Sequence, residues 1–289
     1  MKKPLIDRLY QRVAQRGHVC LGLDTDLSYL PEELLSSGKS PADSLVEFNR
    51  RIIDSTLDVT AVYKVQIAYY EALGLEGLRA YAETLRYLRE QDAIVIADVK
   101  RGDIAKTAEM YAQAHFSGDF EADFMTVNPF MGMDTLAPFF PFLRDQDKGL
   151  FVLVATSNPG ASDIEGIVSQ SGASVSQMVG DMVVEQGAPF VGSCGYSSIG
   201  AVVGCTNKDQ TRSIRDRMNG CFFLIPGYGA QGGTAQDMAD YLQDGNGGVV
   251  NSSRGILLAC RGNRFGGLSF EKAARQECIR MRDEIYECL

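Results

Sequence analysis

The sequence predicts an α/β fold, a single (β/α)8 TIM barrel formed by one domain over residues 1–289. Three observations carry that expectation. Short apolar runs alternate with longer amphipathic segments, eight of each. The short runs are near-continuously apolar, the pattern of strands buried on both faces of a parallel sheet. Polar residues cluster at the C-terminal end of nearly every run, the face on which such barrels build their active sites. A length of 289 residues accommodates the fold, which typically takes about 250. The alternative is an open, doubly wound parallel sheet with additions. No Pro-, Gly- or Ser-rich linker divides the chain.

In chain order the expected strands are "HVCLGLD" (18–24), "TAVYKVQ" (60–66), "AIVIADV" (93–99), "DFMTVNP" (123–129), "LFVLVAT" (150–156), "PFVGSCG" (189–195), "CFFLIPG" (221–227) and "GGVVNSS" (247–253). Helical patterns lie between them, among them 42–57, 74–91 and 234–245, and a last one covers 269–289. The segment 157–175 is long, rich in small residues and weakly periodic, which reads as a loop or lid.

Composition narrows the partners. The formal net charge is −9. Nucleic acid and anionic membrane both demand a broad basic face, so neither is expected. A small anionic ligand needs only a few local cations. Seven cysteines, an odd count without a C-x-x-C pair, read as free thiols in a reducing, cytoplasmic compartment. The two histidines, His18 and His115, have no cysteine partner that would make a nucleophilic pair. No charged-then-apolar leader opens the chain, and no apolar run approaches the roughly 18 residues of a membrane span.

The third expected strand runs from apolar residues straight into Asp98, Lys100 and Asp103. Residues two apart on a strand share a face, so Asp98 and Lys100 point the same way, inward if the strand ends in a barrel. A surface ion pair is the plain alternative. Against it stands Lys64, in the middle of the apolar strand "VYKVQ". A buried lysine needs a carboxylate neighbour or loses its charge. Asp98 supplies one if the sequential strands are adjacent. Asp103 also stands where a helix N-cap belongs, ahead of "IAKTAEMYAQ".

"GYGAQG" (227–232) satisfies G-x-G-x-x-G between a strand and a helix. It belongs to the seventh strand rather than the first. The next strand ends in "NSSRG" (251–255), with no acid for a ribose diol. Arg254 points instead to phosphate, which barrels commonly bind on the loops after strands seven and eight.

Together these residues resemble the orotidine 5'-phosphate decarboxylase family, in its longer bacterial form. The signature D-x-K-x-x-D-I-x-x-T is present as Asp98, Lys100, Asp103, Ile104 and Thr107. Around it stand "GLD" with Asp24, "YKVQ" with Lys64, "TSNPG" with Ser157, "PGYGAQGG" with Gln231 and Gly232, and "SSRG" with Arg254. The resemblance implies a catalytic array of Lys64, Asp98, Lys100 and Asp103, acting without cofactor or metal on orotidine 5'-monophosphate. Asp24 and Lys64 would hold ribose hydroxyls, and Ser157 would read the pyrimidine edge. Gln231, Gly232 and Arg254 would hold the 5'-phosphate under a closing 228–233 loop. It further implies a homodimer in which Asp103 and Thr107 reach the neighbouring site. Sugar-phosphate enzymes with the same signature use magnesium and would want a carboxylate where this chain has Lys64, since a lysine repels a divalent cation.

Overall fold

The computed structural model describes residues 3–204, 208–229 and 232–289. Eight strands close into a parallel barrel in sequential order: β1 (Val19–Gly22), β2 (Val62–Gln66), β3 (Val95–Arg101), β4 (Phe124–Val127), β5 (Gly149–Ala155), β6 (Ser197–Val203), β7 (Cys221–Pro226) and β8 (Gly248–Ser252). β8 pairs back onto β1, with Val19 opposite Val250. Closure leaves no open sheet edge, and so the doubly wound alternative is set aside.

Alternation along each strand separates two apolar layers. Val19, Leu21, Tyr63, Val65, Val95, Ala97, Met125, Val152, Phe223 and Val250 face outward onto the helices. Cys20, Val62, Ile96, Phe124, Phe151, Val202, Phe222 and Val249 fill the barrel's interior. One step further along, the inward positions turn polar: Lys64 and Gln66 on β2, Asp98 on β3, Thr126 on β4 and Asn251 on β8. The barrel is therefore an apolar plug with a charged upper layer.

The covering helices start where local chemistry starts them. Ser40 caps Pro41–Thr56 by accepting a hydrogen bond from the Asp43 amide, with Pro41 at the first helical position. Ser174 and Gln177 form a reciprocal capping box on Val175–Gly187. The final helix, Phe270–Glu287, buries Ala274, Cys278, Met281 and Ile285 along one stripe.

Three elements differ from the sequence expectation. The sixth strand is Ser197–Val203, whereas 189–195 forms a short 3-10 turn and a loop. Pro189 opens that turn, and Gly192 and Gly195 turn the chain back, the latter at φ +83°. The helix expected over 234–245 stops after Ala235–Ala239. Asp244, Gly245 and Gly247 all take positive φ, which no helix continues through. A further helix, Leu5–Arg16, precedes β1 and closes the barrel floor with Leu5, Ile6, Leu9 and Val13.

Asp7 fastens that floor. Its carboxylate accepts hydrogen bonds from the Ser193 amide (3.2 Å), the Ser193 hydroxyl (2.7 Å) and the Cys194 amide (2.8 Å). Burial opposes its charge, but these bonds hold its pKa below the ordinary value. Asp7→Ala strands those donors and is expected to cost about 1–3 kcal/mol, read as a lower urea midpoint.

Candidate active site

The polar upper layer opens into a cavity of about 490 Å³ over the C-terminal strand ends. Asp24, Lys64, Asp98, Lys100, Ser157 and Arg254 all line it. Five strand ends, those of β1, β2, β3, β5 and β8, thus deliver residues that lie far apart in sequence.

Lys64 stands at its centre, only 6% exposed. Its ammonium donates to Asp24 Oδ1 at 2.9 Å and to Asp98 Oδ2 at 3.0 Å. Burial alone would lower the Lys64 pKa, but the two carboxylates outweigh it and raise it above the ordinary lysine value. Asp98 is 8% exposed and collects four side-chain donors. Lys64 and Gln66 (3.0 Å) reach Oδ2, while Lys100 (2.6 Å) and Thr126 (3.0 Å) reach Oδ1. Burial would push this carboxyl up, but the ammonium groups of Lys64 and Lys100 hold it well below the usual carboxylate range. Asp24 completes the row by accepting from the Ser253 hydroxyl at 2.8 Å. Gly22 leaves room for that contact, since a Cβ there would sit 1.9 Å from Ser253 Oγ.

Lys100 differs from Lys64. Its side chain is 47% exposed and lines the cavity, and among the described residues its ammonium is tethered by Asp98 alone. The backbone that aims it is unusual. The β3–β4 register shifts between Ala97 and Arg101, and Lys100 takes φ +44°. A non-glycine residue in that region costs about 1–3 kcal/mol and persists only when its surroundings hold it. Thr126 does so here: its hydroxyl accepts from the Val99 amide (2.9 Å) and the Lys100 amide (2.8 Å) while donating to Asp98. Thr126→Val removes all three bonds at nearly constant volume. It is expected to cost about 1–3 kcal/mol of stability and to lower turnover, by equilibrium unfolding and a rate assay.

Asp103 and Thr107 lie outside the cavity of their own chain. Asp103 is half-buried and Thr107 exposed. Asp103 does not cap the helix, which begins at Ala105 with Ile104 at the cap position; it accepts instead from the Ile104 amide at 2.8 Å. Ile104, Met110, Phe130 and Met131 around this corner are all exposed. The loop after β7 begins as a tight turn, with Gly227, Gly229 and Gly232 at positive φ and the Gly233 amide bonded to the Gly227 carbonyl at 3.2 Å. Gln231 lies outside the described residues.

The histidines take no part. His18 and His115 are buried away from the cavity, and burial drives the His115 pKa down to about 4, helped by Arg101. Sequence reasoning overlooked Thr126, Gln66 and Ser253. Each continues the inward parity of its strand, Thr126 above Phe124, Gln66 above Lys64 and Ser253 just past β8 above Asn251, and that parity was the available signal.

Fold and site together define a (β/α)8-barrel enzyme with a charged mouth at the C-terminal strand ends. The family model described as orotidine 5'-phosphate decarboxylase / HUMPS matches residues 17–261. The orotidine 5'-phosphate decarboxylase of Clostridium acetobutylicum is 57% identical over 285 residues, covering 99% of this chain and 100% of that protein. Among solved structures, Leishmania donovani OMP decarboxylase superposes with a TM-score of 0.77 at 31% identity, covering 99% of this chain and 98% of that one. Leishmania donovani UMP synthase gives a TM-score of 0.78 at 32% identity; the match covers 98% of this chain, which spans 57% of that longer one. The chain belongs to the orotidine 5'-phosphate decarboxylase / HUMPS family, and it is a carboxy-lyase.

Proposed function

We propose that the protein converts orotidine 5'-monophosphate to UMP and CO2, the closing step of UMP synthesis, without metal or cofactor. The observation that carries the reading is the tethered, half-exposed ammonium of Lys100 beside the buried Lys64–Asp98 pair. Loss of CO2 from C6 leaves an electron pair on a carbon with no conjugated sink. A fixed cation at that carbon lowers the barrier through preorganised electrostatics. In this reading the C6–carboxylate bond breaks, its electrons stay on C6, and Lys100 delivers a proton there. The neutral amine then recovers its proton from water.

The remaining roles follow from the charge pattern. Asp98 keeps Lys100 aimed, and Lys64 neutralises Asp98 and Asp24 from beneath. Where a magnesium-dependent relative would gather carboxylates around a metal, the Lys64 ammonium occupies the space between Asp24 and Asp98. That favours cofactor-free chemistry over the sugar-phosphate alternative. Asp24 and Lys64 meet the ribose hydroxyls, and Ser157 meets the pyrimidine edge. Arg254, Gly232 and Gln231 hold the 5'-phosphate, whose binding energy orders the site at a distance from the reacting carbon.

Asp103 and Thr107 serve a second copy. Their position outside their own cavity, among four exposed apolar side chains, suits a homodimer in which the partner subunit's Asp103 completes the charged array. The six described cysteines are all unpaired thiols, in keeping with a cytoplasmic setting. Among the described residues no helix is long and apolar enough to cross a membrane.

The test is product analysis. Orotidine 5'-monophosphate incubated with the purified protein is expected to yield UMP and CO2 in equal amounts. Unchanged substrate after prolonged incubation would overturn the reading.

A further inference from the structure

We propose that Glu165, within the 157–175 segment, is a positioning residue that sets Ser157 at the nucleobase; this rests on the decarboxylase reading above. Both oxygens of the Glu165 carboxylate are engaged by one residue. Oε2 accepts from the Thr156 amide at 2.8 Å, and Oε1 lies 2.6 Å from the Thr156 hydroxyl, whose one proton it shares with Asn158 Oδ1 at 2.7 Å. Thr156 immediately precedes Ser157, so this two-point clamp fixes the peptide that carries the Ser157 side chain. Charge-assisted bonds of this kind are roughly twice as strong as neutral ones.

The clamp is needed because Ser157 has little else behind it. Thr156, Ser157 and Asn158 line the substrate cavity on one side and a second cavity of about 480 Å³ on the other. These three loop residues face both spaces. A wall with open space behind it lacks the close packing that normally holds a side chain in place. On one edge, Gly204 supports it: a Cβ there would lie 2.8 Å from Ser157 Cβ. Gly204 is itself pinned, donating to the Ala155 carbonyl at 2.7 Å and accepting from the Tyr241 hydroxyl at 3.0 Å. Glu165 supplies the opposing hold.

Glu165 is anchored in turn. Its amide donates to the Ala161 carbonyl at 2.8 Å, and its carbonyl accepts from the Ser176 amide at 3.0 Å. Ser176 lies in the first turn of the capped Val175–Gly187 helix. The path from a rigid helix through Glu165 and Thr156 to Ser157 gives the long, weakly periodic segment a purpose: it braces the specificity loop.

The experiment compares wild type, Glu165→Ala, Ser157→Ala and the double variant, with kcat and KM for orotidine 5'-monophosphate and inhibition by ribose 5-phosphate, which lacks the base. Glu165→Ala is expected to lower kcat/KM about tenfold to a hundredfold, as misplacement of a binding group by an ångström does. Ribose 5-phosphate inhibition should not change. In the double variant the losses should not multiply, because both substitutions remove the same contact with the base. Thr156→Val, which spares the backbone amide, should reproduce the effect in weaker form and decides the matter if Glu165→Ala does not fold. Wild-type kinetics in Glu165→Ala, or losses that multiply with Ser157→Ala, would overturn the inference. A wild type inactive on orotidine 5'-monophosphate would instead overturn the decarboxylase reading and this inference with it.

Discussion

Lys100→Ala is expected to reduce turnover of orotidine 5'-monophosphate by at least about 10⁴-fold while UMP still binds. Two contributions are lost together. A preorganised charge at the reacting centre is worth about 10²–10³ in rate, and general-acid proton delivery about 10²–10⁴. In the proposed mechanism Lys100 would supply both from one ammonium, which sits 2.6 Å from Asp98 Oδ1. Stability should change little, because this side chain is half-exposed and its ion pair reaches toward the cavity rather than the core. The contrast between near-total loss of rate and retained fold and UMP affinity, measured by steady-state kinetics and equilibrium titration, separates a catalytic residue from a structural one.

Lys64→Ala should do the opposite with stability. Lys64 is buried between Asp24 and Asp98, and its removal leaves two carboxylates facing each other under the cavity. Breaking a buried ion pair by deleting one partner typically costs about 3–5 kcal/mol. The pH dependence follows from the two shifts. The Asp98 pKa is depressed, so its contribution is complete above the unfolded carboxylate value near 3.9 and fades as pH falls through the folded value. The Lys64 pKa is raised, so its contribution is complete below the unfolded value near 10.4 and fades only as pH climbs through the folded one. The stability gap between wild type and Lys64→Ala should therefore be flat from about pH 5 to 10 and narrow below about pH 4. Urea titrations across that range measure it; a gap that widened in acid would contradict the assigned pairings. Turnover should also fall, since Asp98 loses its main counter-charge.

Most of the barrel was legible because its strands are short, apolar and bounded by polar ends, a pattern that tolerates few other packings. The sixth strand was not. "SSIGAVV" opens with two serines and contains Gly200, so its hydrophobic signal is weak. Gly200 is there for Phe151, whose ring atom would meet a Cβ at 2.8 Å. Packing inside the barrel thus erased the very side chain that would have announced the strand. Apolar "PFV" nearby offered a false substitute. The charged core of the site was equally legible: Lys64 in an apolar strand demanded a carboxylate, and Asp98 lies one strand away, with Gln66 opposite it in register. Thr126 was invisible because its role depends on a register shift in β3 and on the positive φ of Lys100, neither of which composition or periodicity encodes. Asp103 and Thr107 remain outside the cavity of a single chain.

The most direct measurement follows the loss of orotate absorbance when the wild-type protein, treated with excess chelator, is mixed with orotidine 5'-monophosphate. The charged array predicts undiminished turnover, because the ammonium groups of Lys64 and Lys100 supply the positive charge. Turnover that vanishes in chelator and returns with magnesium would contradict the central role assigned to those two lysines.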